Sequence, residues 1–324
     1  MKNFKRLIFT IFVVVAGLST LTSAKNTSSQ HSLKDPGIIH QESILYWLTK
    51  RGELKADANE AEKKRALTNY IKASKNGGFK LPGKLAKYDS ELENTLKSQR
   101  AEANLKTIEV KNAANKTVKI LAVLIDFPDL PYNNNRLSPN DTSMYYSDYS
   151  NAHYNNLIFS TTGYSGPASQ NLTTAYQYYQ AVSGGSLFLE GHVAGWVTAD
   201  NNAATYGAND PDRDDNDLDV PSLVKEAVTK AVAAGGFNLA DYDIEDQFDL
   251  DNDGNIDEPD GIIDHVMIFH SSIGEEAGGG VLGEDAIWSH RFFVDVETFG
   301  YTIPGTSFSI LGYTIEPLDS AVGV

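Results

Sequence analysis

Ten carboxylates and no lysine or arginine fall between Asp241 and Asp260. Part of that stretch is regularly spaced. Counting Asp249 as position 1 places Asp251 at 3, Asp253 at 5, Gly254 at 6, Asn255 at 7, Asp257 at 9 and Asp260 at 12. A calcium loop asks for oxygens at those positions and a glycine at 6 for the sharp turn, with position 7 serving through its backbone carbonyl. The template prefers Glu at position 12. Asp260 is shorter, which predicts a one-oxygen contact and weaker binding. Carboxylates crowded at ~4 to 6 Å raise one another's pKa or repel, and a hard dication relieves both. The plainer alternative is a solvated acidic loop. A second acidic stretch, Asp210 to Asp219, has no template spacing; it lends a ligand, forms a site of its own or does neither.

The flanks decide what such an ion does. The helix upstream ends at Gly235-Gly236, and a strand, Ile262 to Phe269, follows. Without two flanking helices there is nothing for calcium to open, so the expected role is a structural staple and not a switch.

The histidines offer no comparable pattern. His31, His40, His153, His192, His265, His270 and His290 include no H-E-x-x-H pair. His265 and His270 are five apart on a predicted strand and point to opposite faces. Ser289-His290 are neighbours on a strand and point apart, and no G-x-S-x-G elbow exists. Gly278-Gly279-Gly280 lacks a following Lys and Ser or Thr, so it reads as a flexible loop and not a phosphate cradle. With no cysteine in the chain, a thiolate zinc site, a thiol nucleophile and a thiol switch are all excluded.

The elements that must position these groups fall into two styles. In the first part, Ile44, Leu45 and Leu48 recur at helical spacing from Gln41 to Arg51, and Leu67, Tyr70 and Ile71 do so from Glu60 to Lys75. Residues 89 to 106 predict a third, mostly charged helix, and Pro82-Gly83 a turn. This region is too thin in apolar residues to build a strong core alone. From Thr117 the style changes. Val118 to Ile125 is a continuous apolar run, a buried strand, and a long loop rich in Asn, Ser and Tyr follows. Leu172 to Val182 predicts a helix and Leu187 to Thr198 a strand, whose apolar stretch is a candidate edge for pairing with an extended peptide. Asp219-Val220-Pro221 starts a strongly amphipathic helix. Strands mixed with helices define an α+β (mixed α/β) class.

The N-terminus supplies an address. Lys2, Lys5 and Arg6 precede a twelve-residue, mostly apolar run, Leu7 to Leu18, and Thr22-Ser23-Ala24 closes on a small residue. That is a secretory signal peptide cut after Ala24, too short at ~1.5 Å per residue to span a ~30 Å bilayer core. Secretion, with no membrane anchor after cleavage, is the expected outcome. Charge divides the remainder. Residues 25–119 carry a net +8 and residues 120–324 a net −27. Opposite fields attract over about a Debye length, so the basic part is expected to dock on the acidic part. Its charges are interleaved with helical apolar residues and lack clustered aromatics, which argues against nucleic acid.

Several ordered blocks resemble the immune inhibitor A-type secreted zinc metallopeptidases of bacteria. They are Tyr178-Tyr179-Gln180-Ala181-Val182-Ser183-Gly184-Gly185 running into Gly191-His192-Val193-Ala194-Gly195-Trp196-Val197, then Asp249 to His270. The clearest is Gly274-Glu275-Glu276-Ala277-Gly278-Gly279-Gly280 with Ala286-Ile287-Trp288-Ser289-His290-Arg291. The resemblance implies a signal peptide at 1–24, a small basic helical propeptide at 25–112 and the N-terminal part of a zincin-like catalytic domain at 113–324. It implies protein or peptide substrates, bound calcium, and zinc on an H-E-x-x-H helix whose Glu acts as general base on zinc-bound water. That helix is expected after Tyr313-Thr314-Ile315-Glu316-Pro317 and is absent from the 324 residues, so no catalytic residue is assigned and the stretch is expected to be inactive alone. The competing reading is a non-enzymatic calcium-binding extracellular module.

Overall fold

The computed structural model describes residues 32–33, 35–36, 38–73, 78–79, 85 and 115–319, except 168, 170 and 211–215. The predicted signal peptide and the predicted helix at 89–106 lie outside the described residues.

A six-stranded sheet organises the domain. Its strands are β1 (Asp35–Pro36), β2 (Lys116–Asp126), β3 (Leu187–Thr198), β4 (Val266–His270), β5 (His290–Phe293) and β6 (Gly312–Pro317), in the order β1-β5-β6-β4-β2-β3. Strands β3, β2, β4 and β6 run parallel, and β5 is antiparallel to both its neighbours. The helices are α1 (Gln41–Lys50), α2 (Glu60–Ala73), α3 (Asn151–Phe159), α4 (Ala175–Val182), α5 (Ala203–Gly207) and α6 (Val220–Ala234). A mixed α/β class is what the sequence pattern predicts.

The unbroken apolar run of β2 has a simple cause. Leu121, Val123 and Ile125 face the core formed with α6, through Leu223, Val224, Ala227 and Val228. Ile120, Ala122 and Leu124 face the other core, with Tyr154 and Ile158 of α3 and Ala175 and Tyr179 of α4. A strand covered on both faces loses the alternation of a half-exposed one. The helix starts are written locally. The Asp219 carboxylate accepts the Ser222 N–H ahead of α6, and Thr174 with Gln177 forms a capping box on α4. Helix α3 lies within the stretch expected to be loop. Its signals were Ser150, whose hydroxyl accepts the His153 N–H, and Tyr154, Leu157 and Ile158 at helical spacing.

The strand expected over Ile262 to Phe269 is two strands. Ile262–Ile263 pairs with Ser309–Ile310, while β4 lies in the main sheet. Asp264 breaks the run. Its N–H donates to the Tyr242 carbonyl, and its carboxylate accepts the N–H groups of Ile244 and Glu245 at 2.9 and 3.3 Å. β3 is an edge strand, the position that pairing with an extended peptide requires; the opposite edge is the short β1, paired with β5. Among the described residues no helix is long and apolar enough to cross a membrane.

Candidate functional site

Two places gather candidate side chains: the acidic loop before β4, and the turn between β4 and β5 on which the N-terminal helices sit.

In the acidic loop, Asp249, Asp251 and Asp253 offer carboxylate oxygens all within 4.8 Å of one another. Backbone N–H groups fold the loop around them. Gly254 donates to Asp249 at 3.0 Å, Asp253 to Asp251 at 3.1 Å and Asn255 to Asp253 at 2.6 Å. Gly254 sits at φ +84°, the left-handed turn that position 6 requires. The remaining template residues are elsewhere. Asp257 belongs to neither close acidic group among the described residues. The Asn255 side chain donates to Glu258 at 2.7 Å. Asp260 turns inward, its carboxylate accepting the Ile262 N–H at 2.7 Å and its own N–H donating to Asp243. Burial pushes Asp260 up to about 7, with Asp246 and Asp243 adding to the push. Burial likewise lifts Asp264 to about 8, helped by Glu245 and Asp243.

The structure adds two residues that the template omits. Asp246, Asp251 and Glu258 form a second group with oxygens within 4.8 Å. Asp246 is buried, and its carboxylate accepts the N–H groups of Phe248 and Leu250, so the chain turns back over it. The unbroken acidic composition of 241–260 was the available signal.

The second place is the turn from Gly274 to Gly283, which is not a loose loop. Helix α1 lies directly on it. A Cβ at Gly278 would stand 3.0 Å from the Ile44 Cα and 3.1 Å from the Trp47 Cβ, so only glycine permits the approach. The His40 N–H donates to the Glu276 carbonyl at 2.8 Å, and the Tyr70 hydroxyl to the Glu275 carbonyl at 3.0 Å. Lys50 pairs with Asp141, which also accepts from the Tyr46 hydroxyl at 2.6 Å. Burial works to raise Asp141, yet the hydrogen bonds from Lys50, Tyr46 and Ser138 outweigh it and hold the carboxyl down to about 2. β1 continues the contact on the sheet edge, Pro36 opposite His290 and Asp35 opposite Arg291. The charge split thus contributes one ion pair between α1 and the acidic part among the described residues. Backbone carbonyls and apolar packing supply the rest.

Beneath the turn, Glu276 is buried and its carboxylate accepts the Ser289 N–H at 3.1 Å and hydroxyl at 2.5 Å. Burial pushes it up to about 7. His290 points the other way, its Nε2 2.9 Å from the Tyr313 hydroxyl. The remaining histidines are dispersed. His153 on α3 lies 3.0 Å from the Tyr164 hydroxyl, and the His192 ring on β3 lies tilted against Phe237, their centroids 5.3 Å apart. His265 precedes β4, and His270 ends it. Burial lowers His153 to about 4 and both His265 and His270 to about 3. No histidine joins a three-residue group with ligand atoms within 4.8 Å among the described residues. These side chains do not fit a catalytic zinc site.

Residues 106–324 match the family described as Immune inhibitor A peptidase M6, catalytic domain, and the chain belongs to that family. It is 41% identical over 301 residues to the "Pre-pro-metalloprotease PrtV" of Vibrio cholerae serotype O1, covering 90% of this chain and 33% of that protein. Identity to the "Immune inhibitor A" of Bacillus thuringiensis subsp. alesti is 39% over 215 residues, 64% of this chain and 31% of that protein. The chain spans about a third of the length of these curated relatives.

Proposed function

We propose that the chain is the N-terminal portion of a secreted, zinc-dependent endopeptidase precursor acting on proteins. Residues 1–24 direct export, residues 25–112 form the pro-segment, and the catalytic domain begins near 113. The family match over 106–324 carries this reading. The name of the Vibrio relative, a pre-pro-metalloprotease, supports the order of parts. Zinc and its general base belong to the H-E-x-x-H helix that the resemblance implies, and these 324 residues contain no such motif. Accordingly, the purified 324-residue chain is expected to leave casein intact with or without added zinc. Casein hydrolysis by this chain that a chelator stops and zinc restores refutes the assignment.

The acidic loop is proposed to hold a structural calcium through Asp249, Asp251 and Asp253, joined by Asp246 and Glu258; Asn255, Asp257 and Asp260, the other template positions, would complete the site only by turning toward the ion. The 4.8 Å clusters support it. Binding only to the folded chain adds about 2.7 kcal/mol at a free calcium ~100-fold above Kd. For a domain of this size that raises the melting temperature by roughly 5–10 °C. Asp251→Ala combined with Asp253→Ala is expected to erase this rise. A wild-type melting temperature unmoved between chelator and millimolar calcium shows instead a solvated loop.

A further inference from the structure

The Gly274–Gly283 turn presents a pair of carbonyls to one side chain. Arg51 lies just past α1 and donates from Nη1 to the carbonyls of Gly278 and Gly280, each at 2.7 Å. Its Nε donates to Glu53 at 2.6 Å. The side chain is only 15% exposed. The turn itself aims these carbonyls. Gly278, Gly279 and Gly280 all have positive φ, +97°, +67° and +58°. The intervening Gly279 carbonyl faces inward, where it accepts the N–H groups of Leu282 and Gly283. A Cβ at Gly279 would stand 1.9 Å from the Gly283 carbonyl oxygen, so the turn has no room for another residue there. Nη1 meets the two carbonyls while Nε and Nη2 face the Glu53 carboxylate, so three nitrogens of one planar guanidinium are engaged at once, which the single ammonium nitrogen of lysine cannot match. The neighbourhood favours a cation. Burial chiefly resists ionisation of the Tyr70 hydroxyl; Glu275, Glu276 and Glu284 add to it and Arg51 opposes it, so the three carboxyl groups and the guanidinium share one neighbourhood.

We propose that the Gly278–Gly280 turn is a guanidinium-binding site, filled in the intact chain by Arg51 and open to the arginine side chain of a peptide once the N-terminal helices leave. The second half rests on the pro-segment reading. The site itself does not, since the turn and its acceptors belong to the family-matched part of the chain. Arg51 is then a built-in occupant, and a peptide bearing arginine competes for the same two carbonyls.

The test uses the full chain and needs no peptidase activity, so its failure is distinct from failure of the precursor reading. Arg51→Met keeps the apolar stem and removes the fork. It is expected to lower the melting temperature by about 4 °C or more. Ethylguanidinium at millimolar concentration is expected to restore at least half of that loss, ethylammonium none, and wild type is unmoved by either. In Arg51→Met combined with Trp47→Ala, which takes the buried α1 ring off the turn, a capped Gly-Arg-Gly peptide should raise the melting temperature as ethylguanidinium does, and Gly-Lys-Gly should not. Equal rescue by both cations, or no rescue of a folded variant, overturns the proposal. Arg51→Lys guards against a variant that fails to fold: it retains the charge, and wild-type stability in Arg51→Lys also overturns the assignment.

Discussion

Trp47→Ala is expected to release the N-terminal helices from the Gly274–Gly283 turn while most of the main domain stays folded. Trp47 is 1% exposed on α1, and its Cβ lies where a side chain at Gly278 would be. Lys50 stands 4.7 Å over its ring. Removing a buried tryptophan costs about 3–5 kcal/mol. The helices have little to set against that. Their own core is Ile44, Leu48, Leu54, Ala58 and Tyr70, separate from the two cores that flank the sheet. A small satellite core opens as a local unit when its anchor is lost. The measurement is limited proteolysis followed by mass spectrometry. Cleavage within residues 38–73 should become much faster in the variant, with the 115–319 region still resistant. A variant as resistant as wild type throughout shows that the ring does not anchor the helices. Leu85 complicates a clean separation in an informative way. It is fully buried in the sheet–α6 core, so part of the segment before β2 is built into the main domain. Release of α1 and α2 is therefore expected to leave the chain tethered at Leu85.

The elements most legible in the sequence are those whose cause is local or repeated. β2 follows from an apolar run, and α6 from its Asp219 cap, Pro221 and pairs of apolar residues. α3 was hidden because its apolar residues sit among Asn, Tyr and His, and tertiary cover by β3 outweighs so short a periodicity. In the acidic loop the alternating Asp spacing is a one-dimensional signal, and it picked out Asp249, Asp251 and Asp253. Asp246 and Glu258 approach Asp251 only because the chain turns back after Leu250, which spacing from Asp249 does not encode. The charge split pointed toward docking; among the described residues, α1 meets the acidic part through carbonyls, a tryptophan and the Lys50–Asp141 ion pair, while Lys116 and Lys119 of β2 pair with Glu245 and Glu190. Net charge sets long-range attraction, and short-range packing selects the surface. Glycines at 278–280 read as looseness, whereas their positive φ values turn two carbonyls toward Arg51.

A large pH effect is assigned to Glu276, the buried carboxyl beneath the glycine turn. Burial pushes its carboxyl up to about 7 in the folded chain, against an ordinary value of 4.5. The folded state therefore binds more protons than the unfolded state between those values. Stability from this group is fully present below about 4.5 and is lost as pH rises through 7, a change of about 3 kcal/mol. Three histidines act in the opposite sense. His153, His265 and His270 are buried and neutral, with folded values of about 4, 3 and 3. Their contribution is present above about 6.5 and is lost as pH falls below it. The wild-type profile mixes both trends, so the decisive quantity is the difference between wild type and Glu276→Gln. The glutamine keeps one oxygen to accept the Ser289 N–H, and its amide donates to the Ser289 hydroxyl, which is able to accept. The histidine contributions cancel in the comparison, and saturating calcium in both samples holds the acidic loop constant. Glu276→Gln is expected to be more stable than wild type at pH 8, with the advantage shrinking steadily toward pH 5. Thermal melts at half-unit intervals measure it directly. An advantage independent of pH means that Glu276 is charged or neutral throughout, and the buried, raised carboxyl beneath the glycine turn is then not the group that titrates.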